Sequence, residues 1–215
     1  MRLPRTLLAR RRLLGSAALL LAARWSRPSL AAVPTGDAAE KVVQRLVERV
    51  WGLLADGRMD QDDLQRLLPA LEEETDLDLL ARLSLGRYWR RATPAQQTEY
   101  VALFRRYVLQ NFARRLQQFA GAEIGAPEEH FQIVASHPVG DRDVVVESRL
   151  LPPSRPPFEV DWRLRERQSE PVIIDLVVEG ISLLVTQRSE FAAVMERSGM
   201  DGLLAQLRSR VAEPV

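Results

Sequence analysis

The sequence predicts an α+β fold in which helices come first, a meandering antiparallel sheet follows, and helices return at the end. Three observations predict it. Up to Gly121 the apolar residues recur at a helical spacing near 3.6, and beyond it they alternate with a period of two. Prolines at 152, 153, 156 and 157 punctuate the alternating half and keep that segment out of a central strand. Past Val185 the spacing becomes helical again. The expected architecture is a twisted antiparallel sheet of about four strands, packed against N-terminal, long central and C-terminal helices.

Residues 1–31 are set apart before the fold begins. They carry seven arginines and no acid, with an apolar run from Leu13 to Ala23 and a small-x-small site at Ser29-Leu30-Ala31. An 11-residue run is short of the about 20 needed to span a bilayer. The layout predicts a cleaved export signal, with residues 32–215 as a single domain. Arg10-Arg11-Arg12-Leu13-Leu14 also has a twin-arginine form, so the general secretory and twin-arginine routes both fit.

The first helix is expected from Ala38 to Leu54, with Val42, Val43, Leu46, Val47, Val50 and Leu54 on one broad face and Gly57 ending it. Asp60 to Leu71 follows, facing inward through Leu64, Leu67, Leu68 and Leu71. Asp76 is placed to cap a third helix that ends near Gly86. An aromatic-basic knot, Arg87-Tyr88-Trp89-Arg90-Arg91, leads into Thr93-Pro94 and the longest helix, Pro94 to Phe119. Thr93 and Gln96 form a capping box, and Pro94 suits the first helical position. Tyr100, Phe104, Val108, Phe112 and Leu116 make its ridge, widened by Val101, Tyr107 and Phe119.

In the alternating half, Phe131, Ile133 and Ala135 share one face of a strand, and Gly140-Asp141 marks a turn. Val144, Val146, Ser148 and Leu150 share a face of the next. Phe158, Val160, Trp162 and Leu164 then alternate with Glu159, Asp161, Arg163 and Arg165, the pattern of a half-buried strand. Val172 to Val178 is more continuously apolar and reads as central, presenting Ile174, Leu176 and Val178. Glu179-Gly180 predicts a bulge or sharp bend before Ile181, Leu183 and Val185 resume the strand. Two helices, about Ser189 to Ser198 and Asp201 to Val211, flank Gly199.

Charge and composition narrow the function classes. Seven of the 30 basic residues lie in the leader, leaving 23 against 29 acidic residues and a net charge of −6. That sign disfavours a nucleic-acid partner, which needs a basic footprint. The chain has no cysteine, hence no thiol nucleophile and no disulfide. Its two histidines, His130 and His137, flank one strand at an odd spacing and face opposite sides, a poor arrangement for a metal. Gly180-Ile181-Ser182 lacks the second glycine of a nucleophile elbow, since Leu184 stands there. Asp161, Asp175 and Glu179 sit at alternating strand positions that suit a solvated face. The sequence carries no phosphate-binding glycine loop. The expectation is a protein that is not an enzyme and that carries no cofactor.

Two stretches carry a family resemblance: Leu85 to Tyr107, LGRYWRRATPAQQTEYVALFRRY, and Asp175 to Phe191, DLVVEGISLLVTQRSEF. With Gly199-Met200-Asp201-Gly202-Leu203 they resemble the MlaC family, periplasmic phospholipid-binding shuttles also called toluene-tolerance auxiliary components of an ABC transport system. The resemblance covers roughly Asp76 to Ser209; little of it extends into Asp37 to Glu74. Pattern alone predicts a closed core between the sheet face and the long helix. The resemblance implies instead an apolar cavity there, with phospholipid acyl chains as cargo. The lining would come from Val144, Val146, Ser148, Leu150, Phe158, Val160, Trp162, Leu164, Ile174, Leu176 and Val178 on the sheet, with Phe104, Tyr107 and Val108 on the helix. It further implies exchange of lipid between an outer-membrane lipoprotein–porin complex and an inner-membrane ABC transporter complex with its membrane-anchored substrate-binding subunit, in support of membrane lipid asymmetry. A sister group is associated with hopanoids, and a cavity-free adaptor module is a further alternative. The aromatic-basic knot reads as scaffold, its rings packed at a helix end and its arginines in solvent.

Overall fold

Local capping sets where the helices begin. In the computed structural model, which describes residues 33–54, 61–117, 125–152 and 156–212, the first helix is α1 (Gly36–Leu54), followed by α2 (Gln61–Glu74) and α3 (Leu77–Leu85). Asp76 accepts a hydrogen bond from the Leu79 N–H at 2.9 Å, as its position predicts. A 3₁₀ turn, Gly86–Arg91, holds the aromatic-basic knot and leads to α4 (Pro94–Gln117). There the capping box forms: the Gln96 N–H donates to Thr93 Oγ1 at 3.3 Å and the Thr93 N–H to Gln96 Oε1 at 3.0 Å. The leader 1–31, the helix end at Gly57, Phe119, Gly121 and Pro153 lie outside the described residues, as do the side chains of Leu64 and Leu68.

A single-turn helix α5 (Pro127–His130) opens into an antiparallel meander of five strands rather than four. These are β1 (Phe131–Val139), β2 (Asp143–Leu150), β3 (Phe158–Arg167), β4 (Glu170–Val178) and β5 (Ile181–Ser182), lying side by side in chain order. Two irregularities alter the expected faces. In β1 the register shifts between Ile133 and Ala135, so Ser136 rather than Ala135 shares the inner face and its hydroxyl reaches Glu40 of α1 at 2.5 Å. In β4 a bulge opposite Arg163 and Leu164 puts Ile173 across from Leu164, so Ile173 replaces Ile174 on the inner face. Leu176 and Val178 keep the predicted phase, opposite Trp162 and Val160.

The bend at Glu179-Gly180 is a two-residue turn with both residues at positive φ, 49° and 75°. Gln168-Ser169, joining β3 to β4, has the same form at 52° and 72°. After the second turn the strand lasts only two residues. The stretch expected to continue it as Leu183 and Val185 is instead the start of α6 (Leu183–Ala212), which bends at Gly199 where φ is 64°. The helix starts early because its first turn is capped from β4. Asp175 accepts from the Leu184 N–H at 3.0 Å and from the Ser182 hydroxyl, which in turn accepts from the Val185 N–H at 3.0 Å.

The apolar interior forms two clusters. On the sheet side, Val42, Val43, Leu46 and Val50 of α1 lie on Val144, Val146, Val160, Trp162, Leu164 and Ile173. On the helical side, Tyr88, Tyr100, Phe104, Tyr107, Phe191, Leu203 and Leu207 tie the 3₁₀ turn, α3, α4 and both arms of α6 together. The helix α4 belongs to both: its first half enters the helical cluster, while Leu109, Phe112 and Leu116 lean on the sheet-side one. The knot is scaffold in this arrangement. Tyr88 is buried with its hydroxyl donating to Glu196 at 3.0 Å, Arg87 and Arg91 lie over its ring, and Arg82 lies over Trp89.

Candidate functional site

Where the two clusters fail to merge they leave a cavity of about 260 Å³. One wall is α4, through Phe104, Tyr107, Val108, Asn111, Phe112 and Arg115. Facing it are Trp162, Ile173, Asp175 and Leu176 of the sheet. Leu46, Leu71 and Thr75 close one end; Leu77, Leu80 and Ser84 of α3, with the first two turns of α6, complete it. A parallel bridge between Thr75 and Ile173 pins the α2–α3 link to β4 at this wall.

The interior of the cavity is chemically apolar although three buried polar residues line it, because each is satisfied from within the protein. Thr75 donates its hydroxyl to the Leu71 carbonyl. Ser84 donates to the Ala81 carbonyl at 2.9 Å and meets the Tyr100 hydroxyl at 2.8 Å. Burial pushes that Tyr100 phenol well above its ordinary pKa, with the Ser84 bond offsetting part of the rise, so it stays protonated. Asp175 is occupied by its two capping bonds. Trp162 turns its indole N–H away into Ser148 Oγ at 2.9 Å, and Ser148 passes its own proton to the Val160 carbonyl at 2.7 Å. A buried polar group so paired costs little, which leaves carbon facing the space.

Of the residues expected along the lining, Phe104, Tyr107, Val108, Trp162 and Leu176 border this cavity. Val144, Val146, Leu150, Phe158, Val160, Leu164 and Val178 belong instead to the cluster under α1, with Ser148 buried beside Trp162. Ile174 is buried at 2 % exposure and borders neither. The reason is α1: its broad apolar stripe needs a partner, and the sheet face is the one it takes. Sequence reasoning missed Leu46, Leu71, Leu77, Leu80, Ile173, Leu183 and Leu184 as cavity residues. The unclaimed stripe of α1 was the signal that part of the sheet face was already covered.

Of the groups weighed for catalysis, Ser182 and Asp175 meet in the α6 cap and the histidines lie elsewhere. His130 stacks on Trp51 with ring centroids 6.0 Å apart, while His137 lies on β1, 3.5 Å from Glu147. Glu179 accepts from the Glu159 N–H at 2.6 Å. Asp161, across from Glu147 on β2, has its pKa raised by burial and then by the charges of Glu147 and Glu159. Ser182 is committed to the α6 cap. Among the described residues no cluster of His, Asp or Glu is arranged to hold a metal, and no helix is long and apolar enough to cross a membrane.

Comparison with known proteins follows the same lines. The chain is 20% identical over 137 residues to the intermembrane phospholipid transport system binding protein MlaC of Haemophilus influenzae, a match that spans 61% of this chain and 60% of that protein's length. Its fold matches the solved structure of a phospholipid-binding protein from Ralstonia solanacearum in complex with a phospholipid. The TM-score is 0.65 at 23% identity, over 82% of this chain and 96% of that one. The family model described as MlaC protein matches residues 42–209, which takes in α1 from Val42 onward and all five strands. A match that runs over more than half of the chain places it: this protein belongs to the MlaC family.

Proposed function

We propose that this protein is a periplasmic phospholipid carrier, exported by a cleaved N-terminal signal, that holds acyl chains in the cavity between its two cores. The observation that carries the reading is a cavity whose buried polar lining, Thr75, Ser84 and Asp175, is internally satisfied, in a chain of the MlaC family. A solved neighbour of the same fold holding a phospholipid supports it. So does the name of the Haemophilus relative, an intermembrane phospholipid transport system binding protein. The reading extends to delivery between an outer-membrane lipoprotein–porin complex and an inner-membrane ABC complex.

The physical need is plain. At about 0.8 kcal/mol per methylene, some 30 acyl methylenes carry roughly 24 kcal/mol of gross transfer cost into water. A carrier removes that cost by offering carbon in place of bilayer, and delivery stays reversible only if the match is close. No bond is made or broken in this role. At about 260 Å³ the cavity falls just below the roughly 300–1,000 Å³ of sites that enclose drug-sized ligands. A two-chain lipid is larger still, so loading separates the walls. Native mass spectrometry of the mature protein, with extraction and identification of bound lipid, tests the reading. One phospholipid per chain is expected, and preparations from the native periplasm that are consistently free of lipid overturn it.

A further inference from the structure

The polar residues of the cavity divide into two sets. Thr75, Ser84 and Asp175, inside, and Thr186, Gln187 and Glu190 on α6 are paired within the protein. Asn111 and Arg115, on α4, are not: among the described residues neither has a hydrogen-bond or ion-pair partner. They stand four residues apart, on one face of the helix, beside the apolar lining residues Val108 and Phe112. Arg115 is solvent-exposed and Asn111 half-buried, so the pair marks the rim where the cavity meets water. A helix end favours cations, which accounts for basic residues in this last turn. It does not account for Asn111, nor for Arg115 rather than Arg114 facing the cavity.

We propose that Asn111 and Arg115 bind the phosphate of a glycerophospholipid whose chains occupy the cavity, so that the protein selects phospholipid over uncharged lipids such as diacylglycerol or hopanoids. The proposal rests on the carrier reading and names the residues that hold the headgroup of its cargo. A guanidinium presents paired N–H donors that match two phosphate oxygens, and the Asn111 amide adds a neutral donor one turn away. From the α6 side the rim holds Gln187, which donates to Glu190 Oε2 at 3.3 Å. The Glu190 carboxylate disfavours a second negative charge, so a singly charged phosphodiester suits the rim better than a phosphomonoester.

The test uses the mature protein loaded with a phosphatidylethanolamine that carries a fluorophore on one acyl chain. Displacement is measured with dioleoyl phosphatidylcholine and with dioleoylglycerol, which share acyl chains and differ in the phosphocholine group. Wild type is expected to prefer the phospholipid about tenfold, roughly the worth of one charge-assisted contact. Arg115→Gln and Asn111→Leu should each reduce the ratio several-fold, with affinity for dioleoylglycerol unchanged, and Arg114→Gln should leave it at the wild-type value. Equal affinity of the wild type for both lipids overturns the proposal, and so does an Arg114→Gln loss matching that of Arg115→Gln. A protein that binds neither lipid sinks the carrier reading itself, which separates the two failures.

Discussion

The sheet-side core and the helical core are built from different materials. The first is largely aliphatic, with valines and leucines of α1 laid across valines of β2 and β3, and it keeps its ionic groups at its margins. Glu74, 1 % exposed, takes two bonds of 2.9 Å from Arg45, and Asp143, on the outer face of β2, is gripped by Arg163 and Arg165. The second is aromatic. Phe191 meets Tyr100, Phe104 and Tyr107 with ring centroids 6.0 to 6.4 Å apart, largely edge to face or tilted, and the Tyr100 hydroxyl is paired with Ser84. Interlocked rings fix α3, α4 and α6 as one frame, while a pleated aliphatic face fixes α1. Each core is complete in itself. The seam between them is where space persists, and α4 is the beam that crosses it.

The largest break in this comparison is a charge under α1. Val160→Asp places an unpaired carboxylate in the sheet-side core and is expected to cost about 4 kcal/mol or more, leaving little folded protein in a urea titration. Replacing a leucine separates sealed core from seam. Leu203→Ala, at 0 % exposure, should cost about 2–5 kcal/mol, and Leu80→Ala, half-buried against the cavity, should fall below that range. Equal urea midpoints for the two would mean that the seam is packed as tightly as the cores.

Asp143 tests the margin of the sheet side. Burial alone would raise its pKa, but hydrogen bonds from Arg165 and Arg163 outweigh burial and hold the carboxyl below its usual range. A carboxylate depressed in this way stabilises the folded state above its ordinary pKa, and that stabilisation disappears as pH falls through the folded value. Asp143→Asn should therefore cost about 2 kcal/mol at pH 7, and the gap to wild type should close on acidification below about pH 4. A gap independent of pH would remove the ion pairs as its source. The smallest effect sits at the β3–β4 turn, where Gln168 and Ser169 hold positive φ without glycine. Changing them to Asn-Gly should raise stability by up to about 1 kcal/mol, measured as a shift in the thermal midpoint.

Features encoded within a few residues were legible in the sequence. Asp76 and the Thr93–Gln96 box announced their helices, and the alternation of β3 announced its faces, because cap and period are local. What escaped depended on partners distant in the chain. Leu183-Leu184-Val185 reads as strand until Asp175, eight to ten residues earlier and on β4, supplies the cap that makes it helix. Ile173 and Ile174 are equivalent by composition, and only the bulge opposite Arg163 and Leu164 chooses between them. The turn at Gln168-Ser169 carries none of the Asn-Gly chemistry that marks such hairpins. The candidate site was only partly visible because any apolar stripe fits any apolar face, and α1 claimed the larger share of the sheet.

Trp162 combines two properties that seldom coincide: its ring borders the cavity and its N–H is locked into Ser148. The indole is thereby held at one orientation, with the cavity against its flank. Its emission belongs to the occupancy of that space rather than to solvent. With Trp51 and Trp89 half-buried elsewhere as internal references, the chain contains its own optical gauge of filling. A brominated acyl chain entering the seam would darken Trp162 and leave Trp51 and Trp89 lit.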